Sequence, residues 1–249
     1  MMEITKPQDA VHKAWLYRTL TELLDNSELS QNLCFKGGTC ASMLGYLDRF
    51  SVDLDFDLKD ASKKDRLRTE LHKVIRHLGL SIKDESKNAL QFFLKYEAPP
   101  EQRNTLKIDV NDWAPAANEC ASVRLPEIDR TAICQTIETM FANKLVAAIE
   151  RFEKTGGVAG RDIYDIHYFF MHGYKYKPEI IKERRQISLE NFIMTLVDFI
   201  NQEVNETVIS QDLNSLLPTA KFIQIRKRLK PEVLMFLNDE LKRIQHQNE

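Results

Sequence analysis

One stretch, residues 36–57, constrains the fold of this chain more than any other. It joins a double glycine, Gly37-Gly38, to a short predicted helix at 40–47 and then to the alternating run VDLDFD at 52–57. Successive side chains of a strand point to opposite faces, so the run predicts one apolar face and one face that carries Asp53, Asp55 and Asp57. Carboxylates are depleted from strands, and three in alternation indicate a site that gathers Mg²⁺ and phosphates.

The chemistry of this stretch is that of phosphate handling. Glycines let the backbone pass close to a phosphate, and N–H groups at the start of the following helix can point at the anion. Asp53 and Asp55 can hold divalent cations that neutralise charge on the transferring phosphorus. The alternative is a glycine turn followed by an edge strand whose carboxylates face water.

Composition limits the class of protein. The 249 residues suffice for one large or two modest domains, and the 43% hydrophobic and 29% charged fractions suit a globular chain. A net charge of −2 gives no global basic field, so any contact with nucleic acid must depend on a local patch. The four cysteines have no CxxC spacing, which predicts reduced thiols rather than a zinc site. No apolar run of signal-peptide or transmembrane length occurs, so we expect a cytoplasmic protein without a membrane partner.

The first half of the chain mixes helices and strands. Apolar spacing predicts helices at 7–26 and 60–78 and strands at 80–84, 89–96 and 105–110. The last of these strands carries Asp109 between apolar neighbours. If this strand pairs near the 52–57 strand, Asp109 supplies a third carboxylate; otherwise it is an exposed residue at a strand end.

The second half is predicted to be nearly all helical after a loop at 115–128. In the predicted helix 131–154, Ile137, Lys144 and Arg151 recur at intervals of seven, so two cations lie along the face that otherwise buries the helix. Either these side chains extend outward to water, or they line a cleft and meet a triphosphate.

Two further polar features follow. Asp162 and Asp165 are neighbours on one face of the next helix; taken alone, Asp162 is best explained as an N-cap. Helices are also predicted at 178–185, 189–203, 210–216, 219–229 and 231–245. Near the penultimate helix lies a basic cluster, interpreted either as a solvated face or as a patch for an RNA backbone: Lys221, Arg226, Lys227, Arg228 and Lys230.

Four pieces in order resemble a known family. They are KGGT at 36–39, RFSVDLDF at 49–56, the helix with Lys144 and Arg151, and RDIYDI at 161–166. Together they resemble the AbiEii/AbiGii-type nucleotidyltransferases, which are toxin components of bacterial abortive-infection and toxin–antitoxin pairs. The resemblance covers about residues 35–170.

The resemblance implies an α+β fold. Its core is a polymerase-β-like nucleotidyltransferase with a mixed sheet, expected at 1–128 with the N-terminal helix, and a helical C-terminal domain at 129–249 closes the nucleotide cleft. Asp53 and Asp55 are implied metal ligands, Asp109 resembles the third carboxylate of the superfamily, and Asp162 or Asp165 is an essential acid across the cleft. The implied nucleotide-binding set is Lys36, Gly37, Gly38, Thr39, Ser51, Lys144 and Arg151.

The expected reaction is Mg²⁺-dependent, with Mn²⁺ as the other metal considered. It transfers a nucleoside monophosphate from an NTP to an RNA hydroxyl, with a tRNA 3′ end as the favoured acceptor and an antitoxin protein as a further partner. Lys221, Arg226, Lys227 and Arg228 are the predicted RNA contacts. Two alternatives stay open at this point: a small-molecule hydroxyl as acceptor, and a nucleotide-binding module without turnover that acts through a protein partner.

Overall fold

The strand that carries Asp53 and Asp55 lies in the middle of a sheet. The computed structural model describes Lys6 and residues 9–248, and in this part of the chain seven strands follow the order β3-β4-β5-β2-β1-β7-β6. Their bounds are β1 Leu33–Lys36, β2 Asp53–Leu58, β3 Ser81–Glu85, β4 Leu90–Lys95, β5 Thr105–Asn111, β6 Cys120–Leu125 and β7 Arg130–Gln135. The sheet is mixed, because β2 runs parallel to β5 and β1 parallel to β7, whereas the other pairs are antiparallel.

One face of this sheet is buried and forms a hydrophobic core. Alternation buries Leu54 and Phe56 of β2 together with the matching residues of its neighbours, among them Ile108 and Phe92. Helices α1 (Asp9–Asp25) and α4 (Lys64–His77) contact strands of the sheet and present their own buried leucines. Each fully buried Leu or Phe contributes about 1.5–3 kcal/mol of transfer free energy. Asp53 and Asp55 therefore project from the opposite face of β2.

The chain divides into two compact units. The sheet unit comprises Met1–Ala114 and Glu119–Thr136, and it also holds α2 (Ser27–Asn32), α3 (Gly37–Met43) and a 3₁₀ turn at Ala61–Lys63. The helical unit comprises Pro115–Asn118 and Ile137–Glu249. Its helices are α5 Ile137–Thr155, α6 Gly160–Met171, α7 Pro178–Arg185, α8 Leu189–Glu203, α9 Glu206–Leu213, α10 Thr219–Ile225 and α11 Leu229–Asn248. The α+β class and the mixed sheet are confirmed. The domain division at 128 and 129 stays a prediction.

Two assignments around residue 130 were wrong. The expected loop at 115–128 contains strand β6, and the helix expected from residue 131 begins at Ile137, because Arg130–Gln135 forms β7. The run RTAICQ is short, and because of this the spacing of its apolar residues is compatible with both a strand and a helix. Pairing decided the outcome: β7 fills the position between β1 and β6, with Phe35 opposite Cys134.

The presence of strand β6 also corrects the expectation of four reduced cysteines. Cys34 of β1 and Cys120 of β6 form a disulfide across 86 residues of sequence, with their Cα atoms 6.6 Å apart. Both strands border β7, and this arrangement brings the two cysteines together. Cys40 and Cys134 are free and buried. Burial raises the pKa of the Cys40 thiol well above its usual value, and a hydrogen bond with Cys134 adds to the effect.

Within the described residues, no helix has the length and apolarity needed to cross a membrane.

Candidate active site

Three carboxylates share the polar face of the sheet. Strand β2 pairs in parallel with β5 so that Asp55 lies opposite Asp109, and Asp53 lies opposite Lys107. Period-two alternation therefore places Asp53, Asp55 and Asp109 on one face, while Leu54 and Ile108 are fully buried on the other. The condition under which Asp109 supplies a third carboxylate, pairing beside the 52–57 strand, is met.

These carboxylates repel one another. Burial and the charges of Asp53 and Asp109 together raise the pKa of Asp55 to about 6, against the opposing effect of Lys36 and Lys107. Burial is the largest cause, but the two neighbouring acids also act more strongly on Asp55 than the two lysines do, so negative charge around it exceeds the positive charge that balances it. Such a place attracts a cation.

Asp57, the third acid of the alternating run, has a different environment. Its side chain is buried, Lys36 forms an ion pair with it, and Gln135 Nε2 donates a hydrogen bond to Asp57 Oδ2 at 2.6 Å. Asp57 is therefore neutralised within the protein. The ammonium of Lys36, expected to contact nucleotide, is engaged with Asp57, and its nucleotide role stays a prediction.

The double glycine brings backbone close to this site. Gly37 has φ +78°, and a Cβ at this position would lie 2.4 Å from Asp55 Oδ2. A Cβ on Gly38 would lie 2.7 Å from an Arg49 nitrogen and 2.8 Å from Ser51 Oγ. Neither position has room for a side chain, so the requirement for glycine is steric at both positions and also conformational at Gly37.

Thr39 and Arg49 hold the segment that leads into the predicted metal ligands of β2. Thr39 is fully buried and its Oγ1 donates to the carbonyl of Asp53 at 2.5 Å, which fixes the start of β2. Arg49 is also buried and donates to the Phe50 carbonyl at 3.0 Å. Arg49 belongs to the motif at 49–56 but was not among the predicted site residues. A cation four residues before an acidic strand was the available signal.

A buried histidine holds the residue that precedes strand β2. His12 of α1 is fully buried, and its Nε2–H donates to the carbonyl of Val52 at 2.9 Å, while Nδ1 lies 2.6 Å from the Tyr96 hydroxyl. Burial lowers the pKa of His12 to about 4, so the ring is neutral at pH 7. Nothing in the local sequence around His12 indicates this contact, because 40 residues separate the two partners.

The donor set suits a hard divalent cation. Carboxylate oxygens are the ligands that Mg²⁺ prefers, and the excess of negative charge around Asp55 is what such an ion would relieve. Among the described residues, no three Asp, Glu, His or Cys side chains are gathered closely enough to count as a formed metal cluster. The fit thus depends on the chemistry and register of Asp53, Asp55 and Asp109 rather than on a preformed coordination sphere.

The helical unit contains the second polar cluster. Lys144 of α5 places Nζ 2.9 Å from Asp162 Oδ1 and 3.0 Å from Asp165 Oδ2, both on α6, and Arg151 Nε lies 3.2 Å from Asp162 Oδ2. Both carboxylates are almost completely buried. The N-cap of α6 is Ala159, so the N-cap explanation of Asp162 was wrong. Lys144 lies against buried carboxylates, which argues against the alternative that its side chain only reaches out to water.

Asp162 has the opposite electrostatics to Asp55. Burial alone would raise its pKa, but the positive charges of Lys144 and Arg151 outweigh burial and lower the pKa to about 2. Asp162 contacts both cations, whereas Asp165 contacts Lys144.

The predicted RNA-binding cations are partly engaged inside the helical unit. Arg228 forms an ion pair with Glu232 at 2.6 Å, and Arg226 lies 3.6 Å from Glu206. Lys221 lies 5.8 Å above the rings of both Tyr164 and Tyr168, beside a cavity of about 150 Å³. Lys227 is exposed. Lys230 donates to the carbonyls of Asn201 and Val204 and belongs to the framework instead.

Comparison with solved structures gives matches over nearly the whole chain. The crystal structure of JHP933 from Helicobacter pylori matches with a TM-score of 0.60 and 20% identity, covering 99% of this chain and 97% of that one. MenT4, a nucleotidyltransferase toxin from Mycobacterium tuberculosis, matches with a TM-score of 0.54 and 17% identity, covering 95% and 87%. At these identities the likeness shows the fold. A comparison with curated proteins gave no match.

The family model decides the assignment. The model described as nucleotidyl transferase AbiEii toxin, Type IV TA system, matches residues 18–234, which include both polar clusters. The match makes the chain an enzyme and sets aside the hypothesis of a module without turnover. The chain belongs to the AbiEii family of nucleotidyltransferase toxins.

Proposed function

We propose that this nucleotidyltransferase moves a nucleoside monophosphate from an NTP to an RNA hydroxyl, in a reaction that depends on Mg²⁺. The observation that carries the proposal is the register of β2 and β5, which puts Asp53, Asp55 and Asp109 on one face beside the close backbone turn at Gly37. For the acceptor we favour the 3′ end of tRNA, because blocking it would stop translation, as suits a toxin.

The reaction forms one bond and breaks one. The acceptor oxygen bonds to the α-phosphorus, the bond from that phosphorus to the bridging oxygen breaks, and pyrophosphate leaves. We assign the hydroxyl proton to Asp109, opposite Asp55. Asp53 and Asp55 would hold the divalent cation, which would supply neutralisation of the charge that develops on the phosphates. The chain's own contribution is mainly to orient the reactants, since phosphoryl-type transfer leaves little covalent work for side chains.

For the helical unit we propose nucleotide binding by Lys144 and Arg151. Both cations are held by buried Asp162, and Lys144 also by Asp165, so each side chain is fixed in one direction before a phosphate arrives. A cation fixed in advance loses less conformational freedom on binding than a flexible lysine does. Asp162 and Asp165 act in this scheme by positioning Lys144. For the sheet unit, considered by itself, we propose phosphate contacts by the backbone near Gly38 and Thr39, with Ser51.

The RNA acceptor is supported by Lys221, Arg226, Lys227 and Arg228. The partly exposed ring of Tyr168 beneath Lys221 adds a surface on which a base can stack. A small-molecule hydroxyl is the second candidate acceptor, because the ion pairs of Arg226 and Arg228 reduce the positive charge that the patch offers. The Type IV designation also implies a cognate antitoxin, and the need for NTP and RNA favours the cytoplasm.

The test is direct transfer of label. Purified protein is incubated with Mg²⁺, total tRNA and each of the four α-labelled NTPs in turn, with Asp53→Ala as the control. We expect label on RNA with at least one NTP, stoichiometric pyrophosphate, and neither with the control. If no NTP labels the tRNA while pyrophosphate forms, the acceptor is not tRNA; if no pyrophosphate forms under any condition, the reaction itself is wrong.

Charge reversal separates the two acceptors. Lys227→Glu combined with Arg228→Glu should weaken the binding of an RNA acceptor. The loss relative to the parent should be largest at low salt and shrink as salt is raised, because the variant has fewer phosphate contacts for salt to weaken. The matched control is Lys242→Glu, an exposed lysine of α11 outside the cluster. If the double variant labels RNA as well as the parent at every salt concentration, the proposed patch has no part in acceptor binding.

A further inference from the structure

A lysine that no prediction singled out lies among the three carboxylates. Lys107 of β5 is opposite Asp53 in the parallel pairing and two residues before Asp109, so its side chain projects from the same face. Its Nζ lies 2.5 Å from Asp109 Oδ2, and the two side chains are 25% and 26% exposed. Lys107 is thus partly accessible and is the ion-pair partner of the carboxylate to which we assign the proton.

The same carboxylate oxygen has a second donor. Gln91 lies opposite Asp109 in the antiparallel pairing of β4 and β5, and its Nε2 donates to Oδ2 at 3.2 Å. Asp109 is therefore held by two donors, the charged Lys107 on its own strand and the neutral Gln91 on the neighbouring strand β4. One donor carries charge and the other does not, so substitution can separate the two effects.

We propose that Lys107 is a positioning residue that holds Asp109 in the free enzyme and competes with a divalent cation for the carboxylates of this face. The proposal rests on the metal-dependent reaction proposed above. The reason is electrostatic: an ammonium bound to one carboxylate of the set repels a doubly charged ion that approaches the others. A lysine that served only to join strands would not alter metal affinity in this direction.

The sign of the change identifies the mechanism. If Lys107 competes with the metal, removing its charge tightens metal binding, by about tenfold for a neighbouring charge in a partly screened site. If Lys107 merely supports the fold, its removal leaves metal affinity unchanged or weakens it. Turnover should nevertheless fall in the neutral variant, because Asp109 loses its stronger donor.

The experiment measures Mn²⁺ binding by electron paramagnetic resonance of the free ion, using the full chain without nucleotide. The variants are Lys107→Met, which removes the charge; Lys107→Arg, which keeps it; and Gln91→Leu, which removes only the neutral donor. Lys95→Met is the matched control, an exposed lysine of β4 opposite Thr105. We expect about tenfold tighter binding for Lys107→Met alone and affinities within about twofold of the parent for the other three.

Two further outcomes are distinguishable. Mn²⁺ affinity in Lys107→Met that equals or falls below the parental value overturns the role of Lys107. If Asp53→Ala binds Mn²⁺ as the parent does, the metal site of the proposed function is wrong, whatever Lys107 does. Should Lys107→Met not fold, Lys107→Gln provides the same loss of charge with a polar side chain, and the same result is expected of it.

Discussion

The two acidic clusters of this protein are built from the same residue type and behave in opposite ways. On the sheet, Asp55 has its pKa raised to about 6 by burial and by Asp53 and Asp109. In the helical unit, Asp162 is more deeply buried, yet its pKa is lowered to about 2 because Lys144 and Arg151 outweigh burial. Burial disfavours ionisation at both places, so the neighbouring charges decide the direction.

The difference shows what each cluster is suited to do. The helical cluster is balanced within itself and needs no ligand to be stable, which suits the positioning of two cations. The sheet cluster retains an excess of negative charge, which suits the binding of a cation. Four predictions test this contrast.

The largest effect is expected on turnover. Asp55→Asn removes one predicted metal ligand, and we expect nucleotidyl transfer to fall by about a thousandfold, equivalent to roughly 4 kcal/mol in the barrier. Initial rates of pyrophosphate release give the measurement. Asp112→Asn, which changes an exposed carboxylate beyond β5 that pairs with Lys64, is the control and should keep nearly the parental rate. A residual rate of about one tenth in Asp55→Asn would remove Asp55 from the metal site.

The next effect is on stability. Asp162→Asn removes the buried carboxylate that pairs with both Lys144 and Arg151. Because this leaves the two cations without that charge partner, we expect the free energy of unfolding to drop by about 3 kcal/mol. Asp55→Asn removes repulsion instead, so its stability should equal or exceed that of the parent. Urea denaturation of both variants measures the pair. The contrast between the clusters fails if Asp162→Asn is as stable as the parent.

Acid should lower the stability of the protein through the helical cluster. The pKa of Asp162 falls from 3.8 to about 2 on folding, so its contribution is present above pH 4 and is lost as the pH falls toward 2. The loss integrates to roughly 2 kcal/mol. Denaturation midpoints between pH 5 and pH 2 should therefore fall less steeply in Asp162→Asn than in the parent. Parallel profiles would mean that Asp162 is not the group that titrates.

The smallest effect concerns metal binding and pH. Because the pKa of Asp55 is raised to about 6, its carboxyl becomes protonated below that pH, and protons then compete with the metal. We expect Mn²⁺ affinity of the parent to fall by up to about tenfold for each pH unit below 6 and to level off above 7. In Asp55→Asn the profile should be flatter. A parental profile without a slope between pH 5 and 6 would exclude Asp55 as the titrating ligand.

Local pattern was a good guide where one segment carries the signal. The alternation VDLDFD predicted both the buried and the acidic face of β2, and RDIYDI predicted that Asp162 and Asp165 share a helix face. The local pattern failed at RTAICQ, because a run of six residues fits the spacing of both a strand and a helix. It also missed the disulfide, because only the strand order brings Cys34 and Cys120 together.

The sequence by itself determined the kinds of chemistry: carboxylates on alternate positions of a strand, glycines where backbone must come close, and the family. Tertiary structure alone decided which charges meet. Asp57 is paired with Lys36 and Gln135 while Asp55 is crowded, although the two acids are equivalent in the pattern. Lys107 joins Asp109, and His12 holds Val52, only through register and packing. The physical reason is that electrostatic energy depends on distances between segments far apart in the chain, which local periodicity does not contain.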